Sequence, residues 1–596
     1  MSFIYIWKSE NIPIEDATSR FETKLHQQTE LFSSSFGRKF AYAHKKIGNV
    51  FIGQIDLIKG IKEWKSWVEH DNYGIAWSGV CETFLGVDIN REKVKELHEI
   101  SLLTPKKVVE WDGNFAFVSW DSLNEIITIT TGATQSQPLW YASGPNGWAC
   151  GSRSKQILDL TGKEKSFNIE EAGLFCISEY HMGGGTFFKH IYRLAPLNQI
   201  VIRNTEQPKI NEYSSLFEYL TLDFEPIENR EKMHSFCAER LRDRIKRQYN
   251  YSENPVLELS GGKDSRCIGA AIYRNGNTIR TVTGGAQNSP EVKIAKKVAQ
   301  ALHFAHDVEV HNTDGLILLD TNTSRAKKWV QLTEGLETVR QGFYNKKFFN
   351  NGLPIFTGDM QFFNGHHYGL LKSLNMNWTT SSRLLKRIEG KLKNFETTKA
   401  LLYDILEKID NDINSIFTNA DDERYWSFMF YWQSRGSLWG SNVMSVKQPF
   451  AWWWLPLIGR PLIQYSWWLI RDRIEENLLV DQITLRNAPH LREVPDIGQV
   501  KQNRRKLQVI RRKIEYKITH SKLYKKFRKE GYYYDSQYFP VSVQREALWK
   551  KFFDTNNYAW RDIVDENYIN DLITNKPNSL VLWNLATIEL FSQEYF

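Results

Sequence analysis

Near the middle of the chain the sequence reads Val256-Leu257-Glu258-Leu259-Ser260-Gly261-Gly262-Lys263-Asp264-Ser265-Arg266. An apolar run, a glycine pair and the apolar pattern that follows Arg266 predict a buried strand, a tight turn and a helix. Glycines let the backbone come close to a ligand, and the amides of such a turn favour an anion, most naturally a phosphate. Asp264 would repel a bare phosphate, so we expect it to hold a cation that bridges phosphates. The whole string therefore predicts a nucleotide site, although Gly-Gly by itself would indicate an ordinary strand-to-helix turn, and the Walker spacing is not present.

The length and composition indicate a globular protein of several domains. A chain of 596 residues is too long for one core, so two to four domains are expected. The N-terminus lacks a basic region followed by an apolar run, which argues against a signal peptide. The apolar window from Ala451 to Ile470 contains Arg460 and two prolines, so we expect no membrane span there. No Cys-x-x-Cys pair occurs, which fits a cytoplasmic location without a disulfide framework or a zinc site. The five cysteines are Cys81, Cys150, Cys176, Cys237 and Cys267.

The positive charge of the chain is unevenly distributed. The formal net charge is +8, and residues 501–529 contain thirteen Lys or Arg. Such a run is either a solvated helical face or a surface for an acidic partner such as a peptide, a nucleic acid or lipid headgroups.

Two patterns divide the chain. Residues 1–205 are predicted to be β-rich, since short alternating strands such as 114–120 and 126–130 are separated by turn clusters. From about residue 228, strands alternate with helices, which favours a parallel sheet that binds ligands at the carboxyl ends of its strands. The polar residues expected at those ends follow Leu259, Thr283 and Thr357. From about residue 380 the chain is predicted to be mostly helical.

Taken together, these motifs resemble the glutamine-dependent asparagine synthetases and their relatives over roughly residues 50–505. Ser260-Gly261-Gly262-Lys263-Asp264-Ser265 resembles the loop of enzymes that split ATP between the α- and β-phosphates. Segments that resemble the family's amidotransferase domain are Gly113–Asp121, Gln137–Tyr141 and Arg193–Pro196. Segments that resemble its synthetase domain are Arg435, Gln448–Phe450 and Leu485–Pro495.

The resemblance implies a fold of class α/β plus α+β. It predicts an N-terminal Ntn-hydrolase-like β-sandwich domain in residues 1–205. It predicts an ATP-pyrophosphatase core with a parallel sheet in residues 206–380, of the adenine nucleotide alpha hydrolase-like type. A helical C-terminal part of the synthetase domain would follow in residues 381–596, with the basic segment 501–529 inside it.

Two departures from the family pattern change the expected chemistry. The family's glutaminase uses a cysteine directly after the initiator Met, where this chain has Ser2, and its Asn-Gly-Glu loop corresponds here to Ser78-Gly79-Val80. We therefore expect the first domain to keep the fold without glutaminase activity, with Cys81 as a core residue. The family's Gly-Asp-Gly-x-Asp-Glu string becomes Gly358-Asp359-Met360-Gln361-Phe362-Phe363. Either Asp264 and Asp359 suffice to hold Mg²⁺, or ATP turnover is impaired.

The resemblance also implies cofactors and residue roles. ATP and Mg²⁺ are the expected cofactors, and the metal ligands would be Asp264 and Asp359. The predicted ATP- and pyrophosphate-binding residues are Leu259, Ser260, Gly261, Gly262, Asp264, Ser265, Thr283, Thr357 and Gly358. Lys501 would stabilise the adenylation transition state, or is a surface lysine of the basic run. Glu334, or its neighbour Glu337, is the predicted contact of an amine substrate.

The leading functional hypothesis is an ATP-dependent amide-forming ligase without glutaminase activity, of the type of lasso-peptide cyclases and β-lactam synthetases. The predicted partners are a carboxylate and an amine substrate, with a leader-peptide protease on residues 501–529 as a further candidate. Trp426, Trp432 and Trp452–Trp454 either line a peptide pocket or pack in the core. The alternatives are an ammonia-dependent asparagine-synthetase-like enzyme and a degenerate nucleotide-binding scaffold. A nucleic-acid-modifying enzyme is less favoured, because neither a reactive cysteine nor an RNA-binding domain is evident.

Overall fold

The structure is a computed structural model that describes most of the chain. The described residues are 2–57, 66–82, 89–134, 138–203, 206–310, 319–320, 323–340, 353–359, 380–416, 423–433, 438, 440–447, 449–471, 477–500, 544–556, 559–576 and 579–596. Within these ranges, no helix combines the length and the apolar content needed to cross a membrane.

The first domain is built on antiparallel strands. These are β1 (Ser2–Ser9), β2 (Phe40–Ile47), β3 (Val50–Leu57), β4 (Trp67–His70), β5 (Tyr73–Cys81), β6 (Gly113–Asp121), β7 (Ile126–Thr131), β8 (Trp140–Gly144), β9 (Gly147–Gly151), β10 (Tyr192–Arg193), β11 (Asn198–Arg203) and β12 (Lys209–Glu212). In the part of the chain that is described, they form two six-stranded sheets in the orders β10-β8-β9-β1-β3-β2 and β12-β11-β7-β6-β5-β4.

The two sheets pack face to face. Successive side chains of a strand point to opposite faces of its sheet, and here the inward-facing set is apolar in both sheets. Ile4 and Ile6 of β1 share a buried cluster with Val118 of β6 and Ile129 of β7. The intervening residue Tyr5 faces the opposite side and belongs to the larger core. The expected β-sandwich is therefore present in the first domain.

Helices cover the outer faces of the sandwich. They are α1 (Ile14–Phe36), α2 (Arg91–Leu103) and α3 (Ser154–Thr161), while α4 (Ile169–Ser178) packs against the C-terminal helix Leu580–Tyr595. α1 packs on β2 and β3, and α2 packs on β5 and β6. Asn90 and Asn168 start α2 and α4, because their side chains accept hydrogen bonds from backbone amides of the first turn.

A parallel sheet forms the centre of the second half. Its strands are β13 (Val256–Glu258), β14 (Arg280–Gly285), β15 (His306–Val310), β16 (Ile355–Phe356) and β17 (Trp453–Trp454). Across the described residues the order is β15-β14-β13-β16-β17, and all of the pairs are parallel. The predicted alternation of strands and helices is thus confirmed, and β13 lies in the middle of the sheet.

Helices surround this sheet and extend to the C-terminus. They are α5 (Leu216–Thr221), α6 (Arg230–Asn250), α7 (Asp264–Arg274), α8 (Pro290–Ala301), α9 (Thr323–Thr333), α10 (Ser381–Leu392), α11 (Lys399–Ile416), α12 (Glu423–Phe430), α13 (Gly440–Lys447), α14 (Arg460–Arg471), α15 (Asn477–Asn487), α16 (Gln544–Thr555), α17 (Glu566–Asn575) and α18 (Leu580–Tyr595).

Two predicted boundaries need correction. β12 lies after residue 205, but it pairs with β11 in a first-domain sheet, so that domain extends to Glu212. β17 lies in the segment that was predicted to be mostly helical, yet it pairs with β16 in the parallel sheet. The peptide-pocket hypothesis is therefore wrong for Trp453 and Trp454, because both indoles are buried in the sheet. Sequence distance hides this pairing, since β17 comes about a hundred residues after β16.

Buried ion pairs join the two halves. Arg244 of α6 contacts Asp112 at 2.8 Å and Glu82 at 3.4 Å, both from the first domain. The Gln248 amide also donates to Glu82, and the backbone amide of Arg460 donates to Asp112. Since each carboxylate receives donors from the second half, this cluster ties the sandwich to α6 and α14.

Candidate functional site

The predicted loop lies at the carboxyl ends of three neighbouring parallel strands. The backbone amide of Leu259 donates to Val282 of β14, and the Thr283 hydroxyl donates to the carbonyl of Leu259. On the other side of β13, the Thr357 hydroxyl donates to the Glu258 carboxylate at 3.2 Å. The structure therefore brings together the strand ends that the sequence predicted to form the site.

The two serines of the loop hold its shape. The Ser265 hydroxyl accepts from the Ser260 amide at 2.9 Å and lies 3.0 Å from the Ser260 hydroxyl. The Ser260 hydroxyl in turn accepts from the Gly262 amide at 3.1 Å. Among the described residues, no side chain caps the N-terminus of α7, so the positive end of its dipole is directed at the loop. This arrangement suits a phosphate.

Two glycines allow close backbone approaches. A Cβ at Gly358 would lie 2.8 Å from the Asp264 Cβ and 3.0 Å from the Ser265 amide nitrogen. A Cβ at Gly261 would lie 3.2 Å from the Glu291 Cα. The end of β16 therefore sits directly against the start of α7, which places Asp359 beside Asp264.

The carboxylate of Asp264 is buried in a negative environment. Burial and the charge of Asp359 raise its pKa to about 7, against the opposing influence of Lys263. A divalent cation between the two groups would offset both effects, because its charge stabilises the ionised carboxylate. Their oxygens fit Mg²⁺, which commonly takes one or two protein carboxylates and completes its shell with phosphate oxygens and water. Within the described ranges, no group of three or more metal-ligating side chains occurs. Asp264 and Asp359 are therefore the protein ligands that the described residues offer.

Sequence reasoning missed a lysine at this site. The ammonium of Lys447, at the end of α13, forms an ion pair with Asp359 and lies 3.7 Å from Glu258. It also lies 4.8 Å from the centre of the Trp453 ring. Burial would lower the pKa of Lys447, but the carboxylates outweigh it and raise the pKa. The sequence offered one hint of this role, since Lys447 directly precedes the Gln448-Pro449-Phe450 motif. No local sequence pattern, however, pairs Lys447 with Asp359.

The last segment that resembles the synthetase domain, Leu485–Pro495, packs against the loop. Arg266 donates to the carbonyls of Val494 and Pro495, and the amide of Ile497 donates to the carbonyl of Gly261 at 2.9 Å. Lys263 contacts Asp481 at 2.6 Å. The predicted catalytic Lys501 lies outside the described residues, as do Phe362, Phe363, Arg435, Gln448 and the basic segment 501–529.

Glu334 has protein partners of its own. Its carboxylate accepts from the Ser154 hydroxyl at 2.6 Å and from the Lys155 amide at 3.2 Å, at the start of α3. It also lies 3.2 Å from Arg153, whose guanidinium donates to carbonyls at the end of α9. These contacts give Glu334 a structural role at the junction of the two halves, so they do not support the predicted amine contact. Glu337 lies near enough to Lys447 for its charge to raise the pKa of that lysine.

Ser2, which stands at the position of the family's glutaminase cysteine, lies inside a strand. Ser2 is buried in β1, opposite Asp56 of β3, and its carbonyl accepts from the Ser78 hydroxyl. The Cys81 side chain is also buried, as expected for a core residue. The loss of glutaminase activity itself remains a prediction.

Comparisons with known proteins identify one part of the chain. No curated protein matches the sequence. Two solved structures are similar at 11% identity and a TM-score of 0.25, which is too low to infer a shared fold. One is described as the allosteric regulatory enzyme of purine biosynthesis, with 52% of this chain and 80% of that chain covered. The other is the glutamine phosphoribosylpyrophosphate amidotransferase from B. subtilis complexed with ADP and GMP, with 65% and 89% covered.

A family model gives the informative match. It describes asparagine synthase and covers residues 237–325, from within α6 to the start of α9. The segment contains β13, the Ser260–Ser265 loop and β14. Over this segment, the chain is similar to asparagine synthase.

Proposed function

We propose that the protein adenylates a carboxylate with ATP and transfers the acyl group to an amine. In the first step a carboxylate oxygen attacks the α-phosphorus, and pyrophosphate leaves. In the second, the amine attacks the acyl carbon, AMP leaves with the bonding electron pair, and the nitrogen loses a proton. The products are an amide, AMP and pyrophosphate. The observation that carries this proposal is the loop of Ser260–Ser265 at the end of β13, inside the segment that matches the family.

Each residue of the site has a physical task in such a reaction. The amide of Gly261, together with the start of α7, would bind phosphate oxygens. Lys447 lies where it can offset negative charge that develops on the leaving pyrophosphate. Asp264 and Asp359 would hold Mg²⁺, which supplies charge neutralisation to bridged phosphates when it is bound.

We further propose that the acceptor chemistry is that of peptide natural products, as in lasso-type macrolactam formation, and that glutamine is not the nitrogen source. Ser2, in place of the cysteine that the family's glutaminase uses, supports the second part. A cytoplasmic setting and a leader-peptide protease as partner belong to the same proposal.

The experiment is ATP–pyrophosphate exchange with the full chain, screened against free amino acids and peptides as acids. Asp264→Asn should abolish exchange, because it removes the buried charge beside the loop. Asp307→Asn is the matched control, since Asp307 lies in the same sheet but forms an exposed ion pair with Arg280. A folded protein that neither exchanges pyrophosphate nor binds α,β-methylene-ATP with Mg²⁺ would overturn the proposal.

A second candidate is a nucleotide-binding scaffold without turnover. It is favoured by one observation, the ion pair in which Lys447 already neutralises Asp359. Binding of α,β-methylene-ATP without exchange against any acid, in both the wild type and a Lys447→Met variant, would support the scaffold over the ligase.

A further inference from the structure

The peptide between Gly261 and Gly262 lies inside the Ser260–Ser265 loop and has two possible orientations. In a trans peptide the carbonyl oxygen and the following amide hydrogen point in opposite directions. Here the Gly262 amide donates to the Ser260 hydroxyl at 3.1 Å, so the Gly261 carbonyl points away from Ser260. Glycines resist a reversal of this peptide least, because they lack a Cβ. The reversed peptide would turn the negative end of the carbonyl towards Ser260 and the interior of the loop, where it would repel a phosphate.

A hydrogen bond from a distant segment holds the peptide in the observed orientation. The backbone amide of Ile497 donates to the Gly261 carbonyl at 2.9 Å. Ile497 begins a helical turn, and the first amides of a helix have no acceptor within it. Asp496 accepts from the Gln499 amide at 2.9 Å, and the Gln499 side chain accepts from the Asp496 amide at 3.1 Å. This reciprocal pair has the pattern of a capping box, so it fixes the direction of the Ile497 amide.

Arg266 holds this turn against the loop. It lies in the first turn of α7 and is 7% exposed. Its guanidinium donates to the carbonyl of Val494 and, at 3.1 Å, to the carbonyl of Pro495. Two donors on one planar group fix the orientation of their acceptors as well as their distance. Arg266 therefore ties residues 494–497 to the helix that starts at the loop, although it stands outside the Ser-Gly-Gly-x-Asp-Ser string.

We propose that Arg266 is a positioning residue of the nucleotide site: it holds residues 494–497 in place so that the Ile497 amide keeps the Gly261 carbonyl turned away from bound phosphate. The inference rests on the proposed function, because it takes phosphate as the ligand of the loop. Its physical basis is preorganisation, since a loop whose dipoles are already aligned loses no affinity in turning a peptide.

Two substitutions interrupt this chain of contacts at different points. Ile497→Pro removes the amide hydrogen, and proline is favoured at the first position of a helix. Ile497→Ala is its matched control, because it shortens the same half-buried side chain and keeps the amide. Arg266→Met removes the guanidinium and keeps a long unbranched side chain.

Isothermal titration of the full chain measures the affinity for inorganic pyrophosphate with Mg²⁺ and for adenosine, which carries no phosphate. Ile497→Pro and Arg266→Met should weaken pyrophosphate binding by about 10- to 100-fold, the range for loss of one hydrogen bond to a charged group. Adenosine should bind every variant within about twofold of the wild type, and Ile497→Ala should bind pyrophosphate as the wild type does.

Undiminished pyrophosphate affinity in folded Ile497→Pro or Arg266→Met would overturn the inference, as would an equal loss in Ile497→Ala. A matching loss of adenosine affinity would also overturn it, because it would show a general structural defect. Urea denaturation establishes that each variant is folded. If Arg266→Met does not fold, Arg266→Lys replaces it, since it keeps the charge but lacks the two donors of the planar group, and the same weakening is expected.

ATP–pyrophosphate exchange on the same preparations separates this inference from the proposed function. A wild type that binds neither pyrophosphate nor nucleotide overturns both. Exchange by the wild type, with variants that bind pyrophosphate equally well, overturns the role of Arg266 and leaves the ligase. The expected loss of pyrophosphate affinity without exchange against any acid overturns the ligase and leaves the role of Arg266 in phosphate binding.

Discussion

Lys447→Met tests the charge balance of the nucleotide site. The substitution keeps a side chain of similar length over Trp453 but removes the ammonium that Asp359 and Glu258 share. The two carboxylates then lose the counter-charge that Lys447 supplies. We expect a less stable protein in the absence of metal and a stronger response to Mg²⁺.

The magnitude follows from the burial of the three groups. The side chains of Lys447, Glu258 and Asp359 are 27%, 19% and 31% exposed. Unit charges about 4 Å apart interact by about 4 kcal/mol at an effective dielectric constant of about 20, before desolvation is subtracted. Loss of one partner costs up to about 1 kcal/mol for exposed pairs and about 3–5 kcal/mol for buried ones. For partly buried groups we expect a loss of about 2 kcal/mol.

Urea denaturation, with and without millimolar Mg²⁺, measures both effects. In the wild type the lysine competes with the metal for Asp359, so Mg²⁺ without nucleotide should stabilise the protein little. In Lys447→Met the competitor is gone, and Mg²⁺ should restore at least half of the lost stability. The apparent affinity for Mg²⁺ should rise by about tenfold or more.

The matched control is Lys155→Met, because Lys155 is similarly exposed but pairs with Asp159 in the first domain. It should lower stability without changing the response to Mg²⁺. Identical Mg²⁺ titrations of Lys447→Met and the wild type would refute the reasoning, since they would mean that the lysine and the metal do not share Asp359.

Three further predictions concern the rest of the molecule. In the His181→Gln variant, stability should fall by about 3 kcal/mol as the pH rises from about 4.5 to 7, whereas in Glu171→Gln it should rise by about 3 kcal/mol between about pH 4 and 6.5; denaturation at a series of pH values measures both. Arg244→Met should destabilise the protein by about 3–5 kcal/mol in thermal or urea unfolding, because it removes the buried guanidinium that Glu82 and Asp112 share between the halves. Ser2→Ala should leave glutamine hydrolysis unchanged at background level in an ammonia-release assay.

The two pH windows have opposite signs for a physical reason. Burial raises the pKa of Glu171 from 4.5 to about 7, with Glu170 adding to the shift, so the folded state holds a proton that the unfolded state loses. Stability from this group is therefore present at low pH and is lost as the pH rises to 7. Burial, together with Arg193, lowers the pKa of His181 from 6.5 to about 4, so its contribution is lost as the pH falls towards 4. In the wild type the two nearly cancel between about pH 4.5 and 6.5.

Contradictory results are easily recognised in these experiments. Parallel stability–pH curves for wild type and both variants would show that neither group titrates as described. A loss below about 1 kcal/mol for Arg244→Met would show that the cluster with Asp112 and Glu82 is solvated. The exposed pair of Lys550 and Glu546 is its control, because Lys550→Met should cost less than about 1 kcal/mol.

Glutamine hydrolysis that depends on Ser2 would overturn the prediction that the first domain lacks glutaminase activity.

The nucleotide loop could be predicted because its signal is local. A strand, two glycines and a helix start follow one another within eleven residues, and their backbone geometry depends on near neighbours. The polar residues at Thr283 and Thr357 could be added because parallel strands place their carboxyl ends on one edge. The strands of the first domain could be predicted for a similar reason. The alternation of apolar and polar residues within each strand is visible in the local sequence.

The tertiary structure decided which distant groups meet. Lys447 and Asp359 are 88 residues apart, Arg193 and Ser441 are 248 apart, and no local pattern pairs either couple. Trp453 and Trp454 look like pocket residues in the sequence, but main-chain pairing with β16 makes them the edge of the sheet. Glu334 looks available for a substrate, but folding gives it Ser154 and Arg153 as partners. By itself the sequence determined the strand, turn and helix at which we propose that a phosphate binds, because turn chemistry is local. Which charged side chains surround that turn depended on long-range packing.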